Sequence, residues 1–192
     1  MTVRILAFAG STRRESLNKK LVAFASEKAS EQGADVTLID LRDYTMPLHD
    51  GDLEHEGGPP ESATRLFHLM KEHHGLLLSC PEYNSSITGV LKNTIDWVSR
   101  PREGEQPLAA FTGKVAALLS ASPGQLGGLR GLVHVRSILS NIGMFVVPNQ
   151  VAVSSAHEAF DEAGSIRDEK MAKRIESVVK QLVETTSKLE IT

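Results

Sequence analysis

The chain of 192 residues, 41% hydrophobic and 23% charged, can bury one sizeable core and needs no second one. A net charge of −3 excludes a global field that would recruit nucleic acid or an anionic membrane, although a local basic patch stays open. The single cysteine, Cys80, excludes an internal disulfide.

Residues 3–10, VRILAFAG, form a short apolar run ending in glycine, the pattern of a strand buried on both faces. The N-terminal MTVRILAF lacks a secretory signal, and no run of about 18 apolar residues occurs anywhere, so no membrane span and a cytoplasmic setting are expected. From Leu17 to about Gly33 the apolar residues Leu17, Leu21, Val22, Phe24, Ala25 and Ala29 fall at helical spacing, with Gly33 as the stop. ADVTLIDL is a second strand. Residues 44–60, YTMPLHDGDLEHEGGPP, are rich in acid, glycine and proline without a period, and read as a long surface loop. Such a loop can be a lid, an interface element or merely solvated chain.

Residues 61–74 are amphipathic through Ala63, Leu66, Phe67 and Met70, and GLLLSC is a third strand running straight into PEYNSSITG. A helix over 89–99 is limited by Pro101. GKVAALLSAS is the fourth strand, opening into PGQLGG. LRGLVHVRSILSNIG is a helix, residues 144–153 the fifth strand, and 168 to about 189 a last helix with Met171, Ile175, Val178, Val179, Leu182 and Val183 on one side. Strict alternation of strands and helices predicts an α/β fold, a parallel sheet with helices on both faces. No repeat, low-complexity tract or linker divides it, so residues 1–192 are expected to form one domain.

In open parallel sheets ligands bind beyond the carboxyl ends of the strands, near the reversal of strand order. Three strand ends carry unusual loops: GSTRRESLN, PEYNSSITG and SASPGQLGG. In the flavodoxin-like order 2-1-3-4-5 the first, third and fourth strands are neighbours, so these loops converge. In the first, Gly10 permits a tight turn, Ser11, Thr12 and Ser16 offer hydroxyls, Arg13 and Arg14 offer cationic forks, and a helix begins near Leu17 with free N–H groups facing back. Those are the parts of an anion site, to which the Asn18 amide can donate. Ser16 can equally be a plain N-cap beside a solvated turn. The loop matches neither G-x-G-x-x-G nor G-x-x-x-x-G-K-[ST], which argues against a Rossmann NAD site or an NTPase. In the second loop, Tyr83 is a flat surface among Glu82, Asn84, Ser85 and Ser86, suited to a planar heteroaromatic ligand; Asn84 can also be an ordinary turn former. In the third, Gly124, Gly127 and Gly128 either let backbone approach a ligand or only turn the chain.

GSTRRESLN, PEYNSSITGVLKNTIDWVSRP and SASPGQLGGLRGLVHVRSIL resemble, in the same order, the NAD(P)H-dependent FMN reductase family, which includes chromate, quinone and azo-dye reductases. The resemblance runs from Val3 to about Val153 and implies a flavodoxin-like three-layer sandwich holding FMN, with NADPH or NADH as co-substrate. Carried over by position, Ser11, Arg13, Ser16, Leu17 and Asn18 would surround the phosphate. Pro81, Glu82, Tyr83 and Asn84 would line one side of the isoalloxazine, and Ser120, Ser122, Gly124, Gly127 and Gly128 would approach the ring and ribityl from the other. No side chain need be catalytic, since hydride chemistry belongs to the flavin. The implied cycle is ping-pong, from NAD(P)H to a flavin, quinone, azo or metal-oxyanion acceptor, in a homodimer or homotetramer. Arg100 would lie near the site or at a subunit interface. The alternative is an FMN electron carrier without nicotinamide activity, but Arg13 and Arg14 replace the run of hydroxyls typical of flavodoxin.

The remaining signals read as structure. Cys80 reads as a buried small hydrophobe, not a redox thiol. His49, His55, His73 and His74 have no metal-closing spacing, and no metal is expected. Trp97 lacks the interleaved basic pattern of a single-strand binder, so no nucleic-acid partner is expected.

Overall fold

A computed structural model describes residues 2–189; residue 1 and residues 190–192, the ends of the expected single unit, lie outside them. The three central apolar runs pair as parallel strands buried on both sides, which only a sheet covered on both faces provides, and a partly exposed strand closes each edge. The strands are β1 (Arg4–Ala9), β2 (Asp35–Ile39), β3 (Gly75–Ser79), β6 (Val115–Ala121) and β7 (Phe145–Val153), in the order β2-β1-β3-β6-β7. Counting these five alone, the order is the expected 2-1-3-4-5, the flavodoxin-like arrangement. The central register runs Ile5 to Gly75 to Val115.

Period-2 alternation divides the interior into two cores. Ile5, Ala7, Leu77, Ala117 and Leu119 meet α1 (Leu17–Glu31) and α6 (Glu169–Leu189). Leu6, Phe8, Leu76, Leu78 and Leu118 meet α3 (Glu61–Glu72), α4 (Gly89–Val98) and α5 (Leu129–Asn141). Burying Phe8 or Leu78 fully stabilises the fold by about 1.5–3 kcal/mol each by transfer bookkeeping.

Two stretches differ from their sequence reading. Residues 44–60 include a one-turn-plus helix, α2 (Gly51–Gly57), started by Asp50, whose carboxylate accepts from the Asp52 N–H at 2.9 Å. None of its residues is buried, so no apolar period marks it. PEYNSSITG folds into a hairpin of β4 (Glu82–Tyr83) and β5 (Ser86–Ile87). Asn84 and Ser85 both take positive φ, 49° and 65°, as the two-residue turn that matches strand twist requires.

Among the described residues no helix is long and apolar enough to cross a membrane, and no group of three or more His, Cys, Asp or Glu could hold a metal.

Candidate functional site

The adjacency of β1, β3 and β6 brings the three unusual loops together at their carboxyl ends. The seam between them is stitched by side chains. Gly10 N–H donates to Ser79 O at 2.9 Å, and the Thr88 hydroxyl to Gly10 O at 2.6 Å. A Cβ on Gly10 would lie 3.0 Å from Leu91 Cδ2, so glycine lets β1 end tightly against α4. Asn18 closes the seam. Its Oδ1 accepts from Ala121 N–H at 3.0 Å and from the Ser79 hydroxyl at 2.8 Å, while its Nδ2 donates to Ala121 O at 2.8 Å. The amide expected to donate toward an anion thus joins α1 to the ends of β3 and β6.

Above that seam lies a cleft whose first wall is Ser11, Arg13, Ser16, Leu17 and Asn18. Here α1 starts without a cap: the Ser16 side chain accepts nothing, no acid sits in the first turn, and only Ser16 O receives the Lys19 and Lys20 N–H groups. The Leu17 and Asn18 N–H groups have no protein acceptor among the described residues. Two other helices have such ends served: Thr88 caps α4, and the Asp168 carboxylate accepts from Lys170 N–H at 2.8 Å at the start of α6. The Ser11 hydroxyl receives Arg13 N–H at 3.2 Å, which holds the loop curled toward the helix end. Neither the Arg13 nor the Arg14 guanidinium forms an ion pair among the described residues, and both are exposed. Free N–H groups, an unspent buried hydroxyl and unpaired guanidinium groups at one helix N-terminus fit a phosphate.

The second wall is Pro81, Glu82 and Tyr83, facing Ala121, Ser122 and Pro123 across the cleft. Tyr83 presents its ring with 57% exposure, while Asn84 sits in the hairpin turn outside the lining. Glu82 points away from solvent. Its carboxylate accepts from Arg130 Nε at 3.0 Å and from Gly131 N–H at 3.0 Å, in the first turn of α5. Burial pushes this carboxyl up, but the Gly131 N–H and the Arg130 guanidinium outweigh it and hold the group below the usual carboxylate range.

The glycine-rich loop divides by role. Gly127 and Gly128 take φ of 62° and 92°, and a Cβ on Gly127 would come within 2.7 Å of the Val153 carbonyl carbon. Gly128 would meet Ser120 Cβ at 2.9 Å, and the Ser120 hydroxyl donates to Gly127 O at 2.7 Å. These three pack the loop against β6 and β7 and lie off the cleft lining. Gly124 also lies off the lining, next to Pro123, and has open space around it apart from Ser122, whose hydroxyl accepts its N–H at 3.2 Å. Ala121 and Pro123 line the cleft and carry no polar group, so composition offered no signal for them.

Other residues singled out in the sequence lie elsewhere. Arg100 Nε donates to Glu54 of α2 at 3.0 Å. Cys80 is fully buried, and burial pushes its thiol up to about 12. A wider depression beside β2, with Lys19, Asp40, Tyr44 and Arg65, has its lysine neutralised by Asp40 at 2.6 Å.

Residues 3–158 match the family described as NADPH-dependent FMN reductase. The chain is 35% identical over 181 residues to an NAD(P)H-dependent FMN reductase of Pseudomonas aeruginosa, covering 94% of this chain and 93% of that protein. It is 35% identical over 160 residues to a quinone reductase of Pseudomonas putida, covering 83% and 82%. A solved flavoenzyme, an NAD(P)H:(acceptor) oxidoreductase from Paracoccus denitrificans, has a TM-score of 0.82 at 30% identity, covering 97% of this chain and 98% of that one.

Proposed function

The chain belongs to the NADPH-dependent FMN reductase family, flavin oxidoreductases using FMN and NAD(P)H, and from that premise we propose that it reduces a quinone-type small-molecule acceptor at the cleft above β1, β3 and β6. The observation that carries this reading is the uncapped start of α1, with Arg13 and Ser16 unspent, opening into a slot walled by the Pro81–Tyr83 backbone and the loop at Ser122.

In this reading the Leu17 and Asn18 N–H groups, the Ser16 hydroxyl and the Arg13 guanidinium bind the FMN phosphate. The hairpin and the Gly124 loop bind the ring, Asn18 holds the loops at fixed spacing, and Ser120, Gly127 and Gly128 support the facing wall of Ala121, Ser122 and Pro123 from behind. Bound FMN supplies the hydride chemistry, so no side chain is assigned a covalent or acid–base step. The exposed Tyr83 side of the slot admits nicotinamide and acceptor in turn, which implies ping-pong kinetics. Flavins, azo dyes and metal oxyanions are further acceptors of the same class.

Large hydrophobics lie exposed at Tyr83 of the slot and at Leu126, Leu129 and Val133 of the glycine-rich loop and α5, and support a homodimer or homotetramer whose second subunit covers them. We also take residues 1–192 as one domain working in the cytoplasm.

The test is direct. The purified protein is expected to be yellow or to take up added FMN, to bleach anaerobically with NADPH or NADH, and to regain colour with a quinone. Colour without bleaching by either nucleotide would favour an electron carrier. A folded protein that takes up no FMN would sink the reading. Parallel lines in double-reciprocal plots check the ping-pong order.

A further inference from the structure

Helix α5 begins at Gly128, which has no side chain to cap it, directly behind the glycine-rich wall of the slot. The missing cap comes from the other wall. Glu82, in the first strand of the hairpin, reaches across so that its carboxylate receives Gly131 N–H at 3.0 Å and Arg130 Nε at 3.0 Å. The approach is close along the whole contact. A Cβ on Gly131 would lie 3.2 Å from Ser86 O and 3.3 Å from Glu82 Cβ, so a side chain there would press α5 and the hairpin apart by a few tenths of an ångström. A second tie, between the Ser86 hydroxyl and His134 Nδ1 at 2.9 Å, fastens the return strand one helical turn further on. The hairpin thus rests on one face of α5, formed by Arg130, Gly131 and His134.

We infer that Glu82 is a positioning residue: it sets the width of the ring slot by joining its two walls through the first turn of α5, and does not itself contact the ring. The inference rests on the functional reading above and deepens it. Both carboxylate oxygens are engaged by α5, leaving the backbone and Tyr83 to face the slot. The Arg130 pair is largely exposed, with 58% of the arginine side chain open to solvent, so the Gly131 N–H carries most of the effect. Reach therefore matters more than charge. A glutamine keeps the acceptor at the same distance, whereas an aspartate keeps the charge one methylene short.

Three variants separate these terms: Glu82→Gln, Glu82→Asp and Glu82→Ala. FMN affinity is followed by quenching of flavin fluorescence, and amide exchange at Gly131 is followed in FMN-free protein. Glu82→Gln is expected to hold the FMN Kd within about threefold and keep Gly131 protected, while Glu82→Asp and Glu82→Ala raise the Kd about tenfold or more and expose that amide. Competition by inorganic phosphate, which needs only the α1 end, is expected to stay unchanged in all three. The rescue by glutamine is a readout that simple loss of stability would not give. Loss of affinity in Glu82→Gln with retention in Glu82→Asp would overturn the inference in favour of a charge effect at the ring. Unchanged affinity in both Glu82→Asp and Glu82→Ala would overturn it too, and the glutamine and aspartate pair still decides if the alanine variant fails to fold. Wild-type protein that takes up no FMN would instead overturn the functional reading and this role together.

Discussion

At the scale of single residues, Arg13 and Ser16 have no structural partner for their side chains, which separates binding from folding at this site. Arg13→Ala and Ser16→Ala are expected to leave the thermal midpoint of FMN-free protein nearly unmoved, since such substitutions stay within about 0.5 kcal/mol. Each is expected to raise the FMN Kd about tenfold, as loss of a charge-assisted or hydrogen-bonded phosphate contact does. An FMN titration and a melting curve check both halves. Cys80 behaves in the opposite way, being all fold and no site. Its thiol is raised from 9.0 to about 12, so the folded chain keeps a proton that the unfolded chain releases. The stability linked to it is complete below pH 9 and drains away as pH rises toward 12. Urea midpoints at pH 8 and pH 10 are therefore expected to fall further in the wild type than in Cys80→Ala. The position of Arg13 and Ser16 at the cleft was legible because local chain dictates a helix N-terminus. The role of Asn18 was not, because its partner Ala121 lies 103 positions away. Buried glycines were ambiguous for the same reason: the collision of Gly127 with Val153 exists only after β7 is in place.

At the scale of elements, the segment 44–60 is held to α4 by a compact set of bonds. Asn93 Nδ2 donates to Pro47 O at 2.8 Å, its Oδ1 accepts from His49 N–H at 2.7 Å, and Trp97 Nε1 donates to the same Pro47 O at 2.8 Å. Glu54 adds bonds to Arg100 and to His49 Nε2, both at 3.0 Å. The segment is thus a largely exposed strap hydrogen-bonded to a helix. Asn93→Ala is expected to lower unfolding free energy by about 1–3 kcal/mol, because it strands the His49 N–H and removes a donor to Pro47. The urea midpoint reads this change, with the FMN Kd of the surviving folded protein within about twofold. In the same layer the half-buried Arg102 guanidinium stacks over Phe67 with its carbon 4.8 Å from the ring centroid, and the Glu54 carboxylate offsets part of its desolvation. Sequence periodicity found the helices that bury a face and missed α2, which buries none. It also left PEYNSSITG as a loop, since an Asn84-Ser85 turn lacks the glycine that marks most tight hairpins.

At the scale of the whole molecule, strand order was readable because alternating β and α segments leave few parallel topologies, and adjacency of β1, β3 and β6 then follows. That adjacency brings a helix N-terminus, a hairpin and a glycine-rich loop to one cleft, already tied by Asn18, Ser120, Thr88 and Glu82 through protein bonds alone. A cleft built this way exists only in the folded chain, so FMN binds the native state and not the unfolded one. By linkage, free FMN at a hundred times its Kd adds about 2.7 kcal/mol to unfolding free energy. For a chain of this size each kcal/mol moves the midpoint by about 2–4 °C, so an increase of about 5–10 °C is expected. The increase should grow with the logarithm of FMN concentration above the Kd, and riboflavin, lacking the phosphate proposed to sit at the α1 terminus, should produce a smaller one. Arg13→Ala is expected to close most of the gap between the two ligands. Equal shifts from FMN and riboflavin in the wild type would mean that the uncapped start of α1 takes no phosphate.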